Sequence, residues 1–190
     1  MRYILASRSP RRRELLGKIL PEFEIIVRDT DETLPEGTPA DEGVRLLAIR
    51  KGEAVARELT GDCLVISSDT LVELDGVHLG KPTDEADAVR MLMSLSGREH
   101  NVHTGVAVHF GDRIYSGSDT SRVKFRAFTE EEAWDYVSTG EPMDKAGSYA
   151  IQGLGTRFVE GYTGSFDTIV GLSLTLTENL IKRAVENDEE

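Results

Sequence analysis

Short apolar runs and helical stripes succeed one another along the chain, and their phases predict its elements. Tyr3 to Ala6 is a brief apolar run that predicts a buried strand. Ser9 then stands at an N-cap position and Pro10 at the first helical position, both helix-start signals. Leu15, Leu16, Ile19 and Leu20 supply the apolar stripe of the helix that follows. Residues four apart share a helix face, so Arg11 and Arg12 extend that stripe into the first turn while Arg13 points elsewhere. Phe23 to Val27 predicts a second strand, and Thr33 to Pro39 a turn built on Pro35, Gly37 and Pro39. A helix over Ala40 to Leu59 places Val44, Leu47, Lys51 and Val55 on one face. Cys63 to Ile66 is continuously apolar, as a central strand is, and ends in Ser67-Ser68-Asp69-Thr70.

Leu71 to Leu79 is the clearest hairpin in the chain, two apolar strands around the two-residue turn Asp75-Gly76. It delivers Gly80-Lys81-Pro82. A helix over Asp84 to Leu95 turns Ala88, Met91, Leu92 and Leu95 inward and stops at Ser96-Gly97. Strand Val102 to Phe110, the turn Gly111-Asp112, and strands through Ile114–Tyr115 and Val123–Phe128 predict an antiparallel meander. A helix over Glu130 to Thr139 begins after Thr129 with an acidic first turn. Gly140 to Gly155 is a long glycine-punctuated segment with Asp, Lys and Gln at intervals. Long ordered loops in compact domains tend to carry function. Strand Phe166 to Val170 and helix Ser173 to Val185 close the pattern, and Asn187 to Glu190 reads as a frayed acidic tail. Internal repeats and low-complexity linkers are absent from the sequence.

The 190 residues suit one compact domain, or two lobes sharing a core. No apolar run approaches the roughly 20 residues that span a bilayer, and the N-terminal apolar run is too short for a signal peptide. The single cysteine, Cys63, reads as a small buried hydrophobe, and a reducing cytoplasm fits all of this. The formal net charge of −12 argues against a nucleic-acid partner, which wants a basic face, and aromatic residues at 6% do not supply stacking platforms. Only six lysines occur, so each one set on an apolar background is informative.

Four places carry candidate chemistry. Around Ser7 to Arg12, a strand end, a Ser-containing turn and a helix start bring free amides and two guanidiniums to one spot, a site for a phosphate chain; the plainer alternative is three solvated arginines. Lys51, on an apolar stripe, either meets an anion or snorkels to the surface. Asp69, at the expected tip of a buried strand, suits a metal ligand, a general base or a turn cap. The carboxylates of Arg28 to Glu32 either face the same ligand or form a solvated loop. His100 and His103 would face opposite sides of a strand, which rejects them as a metal pair, and none of the four histidines has an evident triad partner.

Seven blocks resemble the Maf family of nucleoside triphosphate pyrophosphatases: Ser7-Arg8-Ser9-Pro10-Arg11-Arg12, Ser68-Asp69-Thr70, Gly80-Lys81-Pro82, Leu95-Ser96-Gly97, Thr104-Gly105-Val106, Glu141-Pro142-Met143-Asp144-Lys145-Ala146-Gly147 and Ile151-Gln152-Gly153. The blocks stand in order, and the resemblance runs from residue 3 to about residue 174. The resemblance implies an α/β fold of the Maf/inosine-triphosphate-pyrophosphatase type, a mixed twisted sheet with flanking helices and two lobes around a deep cleft, over residues 1–190 as a single domain. It implies hydrolysis of the α–β phosphoanhydride, and a divalent cation, Mg2+ first, with Mn2+ or Co2+ also fitting.

Position by position, the resemblance makes Asp69 the proton acceptor and Arg11, Thr70 and Gln152 the selectivity residues, in the manner of the dTTP/UTP branch. Ser7, Ser9, Arg11, Arg12, Lys51 and Lys81 fall to phosphate binding, and Glu32 with Asp69 to the metal. The partner so implied is a small nucleoside triphosphate, with no nucleic acid and no membrane. A homodimer is what the family suggests, although no apolar stripe in the sequence demands one. Two alternatives stand beside this reading: a nucleotide-binding regulator of division or septation, and a 7-methyl-GTP-type pyrophosphatase. Arg8 stands where the family commonly has a small residue or Gln, and Leu172-Ser173-Leu174 replaces the usual Leu-Pro, with Ser173 able to cap the last helix.

Overall fold

The computed structural model describes residues 1–186; the acidic stretch Asn187 to Glu190 lies outside the described residues. A seven-stranded mixed sheet has the order β2-β1-β3-β5-β6-β7, with β4 paired to β3 off that path. The strands are β1 (Arg2–Leu5), β2 (Glu24–Ile25), β3 (Cys63–Leu74), β4 (Val77–Leu79), β5 (Glu99–Phe110), β6 (Arg113–Phe125) and β7 (Val159–Thr163). The helices are α1 (Pro10–Leu16), α2 (Ala40–Ala56), α3 (Glu85–Leu95), α4 (Glu130–Val137), α5 (Phe166–Val170) and α6 (Leu174–Glu186). Short 3-10 turns occupy Glu141–Asp144, Ala146–Ser148 and Leu154–Phe158. The described chain falls into two compact units, one of residues 1–69, 104–119 and 171–186, the other of residues 70–103 and 120–170.

The first unit is built on β1, which pairs in parallel with β2 and β3 in the register Ile4 to Glu24 and Ile4 to Val65. Its core gathers Ile4, Ala6, Val55, Cys63 and Val65, so Cys63 is the buried hydrophobe its apolar setting predicts. Helix α2 lies hard against the sheet. A Cβ on Gly105 would collide with the Val44 carbonyl, and one on Gly52 would come within 2.6 Å of Ser67 Oγ. Ser67 Oγ donates to Ala48 O at 2.7 Å and ties β3 to the same helix. The second unit holds the β3–β4 hairpin, turned at Asp75 and Gly76 with φ of 53° and 80°, as a two-residue hairpin requires. Its core is aromatic: Phe125, Phe128, Tyr136, Tyr149 and Phe158 pack with mostly tilted or edge-on rings.

Several boundaries differ from the pattern. Helix α1 stops at Leu16, because Gly17 caps it; Ile19 and Leu20 fall in the following turn. Only Glu24 and Ile25 of the second run pair as strand, and both are exposed on the sheet edge. Helix α2 ends at Ala56 and α4 at Val137, before Leu59 and Thr139. Residues 114–115 and 123–125 belong to one continuous strand, β6. Phe166 to Val170 is helix, bounded by Gly164 at φ 95° and Gly171 at φ 124°. Five residues with apolar side chains only at 166, 169 and 170 are too few for periodicity to separate strand from helix. The strand in this region is β7 instead. Ser173 does accept from the Leu176 amide at 3.4 Å and opens α6.

Candidate active site

Asp69 is not at a strand tip. It sits within β3, which runs on through Thr70 into the hairpin as one strand of 12 residues. The polar run Ser67-Ser68-Asp69-Thr70 looks like a strand end, yet three of the four residues are buried and their side chains find partners. Satisfied side chains remove the cost of carrying polar residues through a core strand.

The first unit assembles most of the expected site. Lys51, from the buried face of α2, bonds to Asp69 and lies 2.7 Å from Glu32 Oε1. Side-chain exposure grades outward across the trio, 10% for Asp69, 18% for Lys51 and 54% for Glu32. The stripe that carried Lys51 inward is real, with Val44, Leu47 and Val55 buried along it. Of the acidic cluster, Glu32 alone meets this lysine; Asp29 pairs with Arg8 and Asp31 accepts from the Thr33 amide.

Arg12 is held from two sides. Its Nε donates to Gly171 O at 2.8 Å and its NH1 reaches Ser7 Oγ at 3.5 Å. Burial lowers its guanidinium, with Asp69 opposing that and the neighbouring Arg11 adding to it. Such a group gains from an anion at its face. Ser9 keeps the cap, accepting from the Arg12 amide at 3.4 Å, and Ser7 Oγ accepts from the Ser9 amide at 3.2 Å. Arg11 is half-buried with no hydrogen bond among the described residues, and Arg13 is exposed, as the stripe predicts. At seven residues α1 supplies little dipole, so the positive charge at this helix start is that of the guanidiniums.

The other expected residues belong to the second unit. Lys81 is exposed, and its neighbour Gly80 accepts from the Gly147 amide at 3.0 Å. Gly147, at φ 67°, leaves no room for a Cβ against Val72, so that close approach wants glycine. Gln152 is half-buried with a carboxamide that has no hydrogen-bond partner among the described residues. Thr70 follows Asp69 directly and is half-buried.

Glu32 and Asp69 can serve one cation, since they already share the Lys51 ammonium. Among the described residues no group of three or more His, Cys, Asp or Glu is set for a metal. Two hard oxygen donors with the rest left to water and phosphate is how magnesium is commonly held, so the donor set fits. The sequence assigns Ser68 no role beyond its place in the Ser68-Asp69-Thr70 block. Its Oγ donates to Gly171 O at 3.0 Å, the carbonyl that also receives Arg12. No local signal in the sequence marks it, because its acceptor lies 103 residues further along the chain. His100 and His103 take separate partners, Tyr149 for the first and Glu73 with Thr120 for the second.

Residues 2–184 match the family described as Maf-like protein. A dTTP/UTP pyrophosphatase of Clostridium novyi is 47% identical over 177 residues, covering 92% of this chain and 93% of its own. One of Shewanella denitrificans is 46% identical and covers 100% of this chain and 99% of its own. One of the archaeon Thermococcus gammatolerans is 43% identical over 91% of each. Among solved structures, the Staphylococcus aureus Ham1 protein is similar over the full length of both chains, with a TM-score of 0.51 and 16% identity, a likeness of fold alone.

Proposed function

Since this chain belongs to the Maf family, we propose that it hydrolyses the α–β phosphoanhydride of dTTP and UTP, releasing the nucleoside monophosphate and pyrophosphate. The observation that carries the reading is the Glu32–Lys51–Asp69 trio beside Arg12. A carboxylate able to take a proton stands among cations able to hold a polyphosphate. The names of the relatives support the pyrimidine substrates. The family match runs through both units, which supports treating residues 1–190 as one domain.

In this mechanism Arg11, Arg12 and Lys51, with Lys81, bind and orient the phosphates, while the Ser7–Ser9 turn holds Arg12. Asp69 accepts a proton from the attacking water. The water oxygen joins the α-phosphorus, the bond from that phosphorus to the bridging oxygen breaks, and pyrophosphate leaves carrying that oxygen. The guanidiniums stabilise the charge growing on the leaving group. Glu32 and Asp69 would hold a divalent cation, Mg2+ by preference, which neutralises phosphate charge when bound. Arg11, Thr70 and Gln152 read the base.

Pyrophosphate release from dTTP, UTP, CTP, GTP, 7-methyl-GTP and ITP with magnesium tests this. Selective release from dTTP and UTP is expected. Release chiefly from 7-methyl-GTP would overturn the roles of Thr70 and Gln152, and binding without release from any would overturn the enzyme.

A further inference from the structure

The backbone around Gln152 is tied on both sides, while the Gln152 carboxamide itself is left without a hydrogen bond among the described residues. Glu141 does most of the tying. Its Oε1 accepts from the Leu154 amide and its Oε2 from the Gly155 amide, both at 3.1 Å. The Tyr136 hydroxyl donates to Oε2 at 2.6 Å and accepts from the Ala150 amide at 3.1 Å. Thr156 Oγ1 closes the loop, 2.7 Å from Ile151 O and 2.8 Å from Gly153 O. Residues 150, 151, 153, 154 and 155 are thus all fixed, with Gln152 at their centre.

The glycines of this segment are shaped by the same two side chains. Gly153 has φ 116°, and a Cβ there would run into Glu141 Oε1. A Cβ on Gly155 would come 2.5 Å from Ala150 O and 2.8 Å from the Tyr136 hydroxyl. Arg157 lies over the Tyr136 ring, 5.5 Å from its centroid, and holds it from behind. Burial would raise the Glu141 carboxyl, but the hydroxyl and two amides outweigh it and hold the group below the usual carboxylate range. Glu141 is therefore an anion at neutral pH, and its donors are charge-assisted.

We propose that Glu141, braced by Tyr136, is a positioning residue that fixes the Gln152 carboxamide in the orientation that discriminates among nucleotide bases. A carboxamide on a free loop would spend its binding energy on ordering that loop; here the ordering is done before the nucleotide arrives. The inference rests on the reading of Gln152 as a base-selecting residue.

The test is a double-mutant cycle on the full chain with Glu141→Gln, Gln152→Ala and the pair, read as kcat and KM for dTTP and for 7-methyl-GTP. In Glu141→Gln an NH2 replaces one acceptor oxygen and faces an N–H or O–H donor. The discrimination between the two nucleotides should fall about tenfold, through KM for dTTP, with kcat nearly unchanged. Added to Gln152→Ala, the same change should alter discrimination no further. Tyr136→Phe, which keeps the ring, should lower it about threefold and serves if Glu141→Gln does not fold. An equal loss on both nucleotides would reduce Glu141 to a structural role and overturn the proposal. If Gln152→Ala lowers discrimination while Glu141→Gln and Tyr136→Phe do not, positioning fails and the base-selecting reading stands. If Gln152→Ala changes nothing, both fall together.

Discussion

The Lys51 ammonium engages two carboxylates at once, Glu32 on its outer side and Asp69 on its inner side. An ammonium is a compact monovalent charge, and two carboxylates sharing it are incompletely neutralised. That balance decides what each neighbour can do.

Replacing the proposed proton acceptor tests the chemistry directly. Asp69→Asn keeps the shape of the side chain and removes its basicity. We expect kcat to fall about 10³-fold with KM for dTTP little altered, the range general-base loss usually spans. A loss confined to KM in steady-state pyrophosphate release would reassign Asp69 to binding.

Removing the shared cation tests the competition for the carboxylates. In Lys51→Met, Glu32 and Asp69 face each other with no ammonium between them. Without nucleotide, magnesium should bind this variant more tightly than the wild type, while the metal-free variant loses about 3 kcal/mol of stability, as for a buried pair stripped of one partner. Calorimetric titration with Mg2+ and urea unfolding read the two effects separately. Unchanged magnesium affinity would separate the lysine from the metal site.

Gly52 lets α2 approach the sheet, and through it sets where Lys51 stands. A Cβ at this position would come 2.5 Å from His109 Nε2. Gly52→Ala should destabilise by about 2 kcal/mol, the cost of overpacking a close-packed contact. Activity should fall further than stability alone accounts for, because the helix carrying Lys51 must move. Assaying well below the melting midpoint separates these contributions.

His100 makes stability depend on pH. Its ring is buried against Phe125 and Tyr149, Nδ1 has no hydrogen-bond partner among the described residues, and burial pushes its pKa down to about 4. The unfolded chain then binds a proton near pH 6.5 that the folded chain refuses until about pH 4. Stability is retained above pH 6.5 and lost as the pH falls towards 4, by up to about 3 kcal/mol. His100→Gln should flatten that stretch of the curve. Urea midpoints at pH 7, 6, 5 and 4 would show parallel curves for the two proteins if the histidine were not responsible.

Much of the first unit was legible because its signals were strong and local. Ser9 and Pro10 open α1, and the spacing from Val44 to Val55 turned Lys51 inward. The hairpin at Asp75-Gly76 was equally plain. What escaped were features that depend on partners far along the chain. Ser67 and Ser68 look like a strand end until Ala48 and Gly171 supply acceptors for their hydroxyls. Phe166 to Val170 has strand-forming residues, yet it folds as a short helical turn between Gly164 and Gly171, both at positive φ. The pairing of Glu141 with the amides of Leu154 and Gly155 crosses 13 and 14 residues and leaves no periodic trace.

The continuity of β3 through Asp69 and Thr70 limits how this enzyme can diverge. Neighbouring residues on a strand point to opposite faces, so one inserted or deleted residue here would invert every side chain downstream to the hairpin. The residue at 70 can therefore be exchanged, but the chain cannot be lengthened or shortened there without reversing the faces of β3 from Thr70 to the hairpin turn. Tolerance of insertions should begin only at the hairpin turn, where Asp75 and Gly76 are exposed.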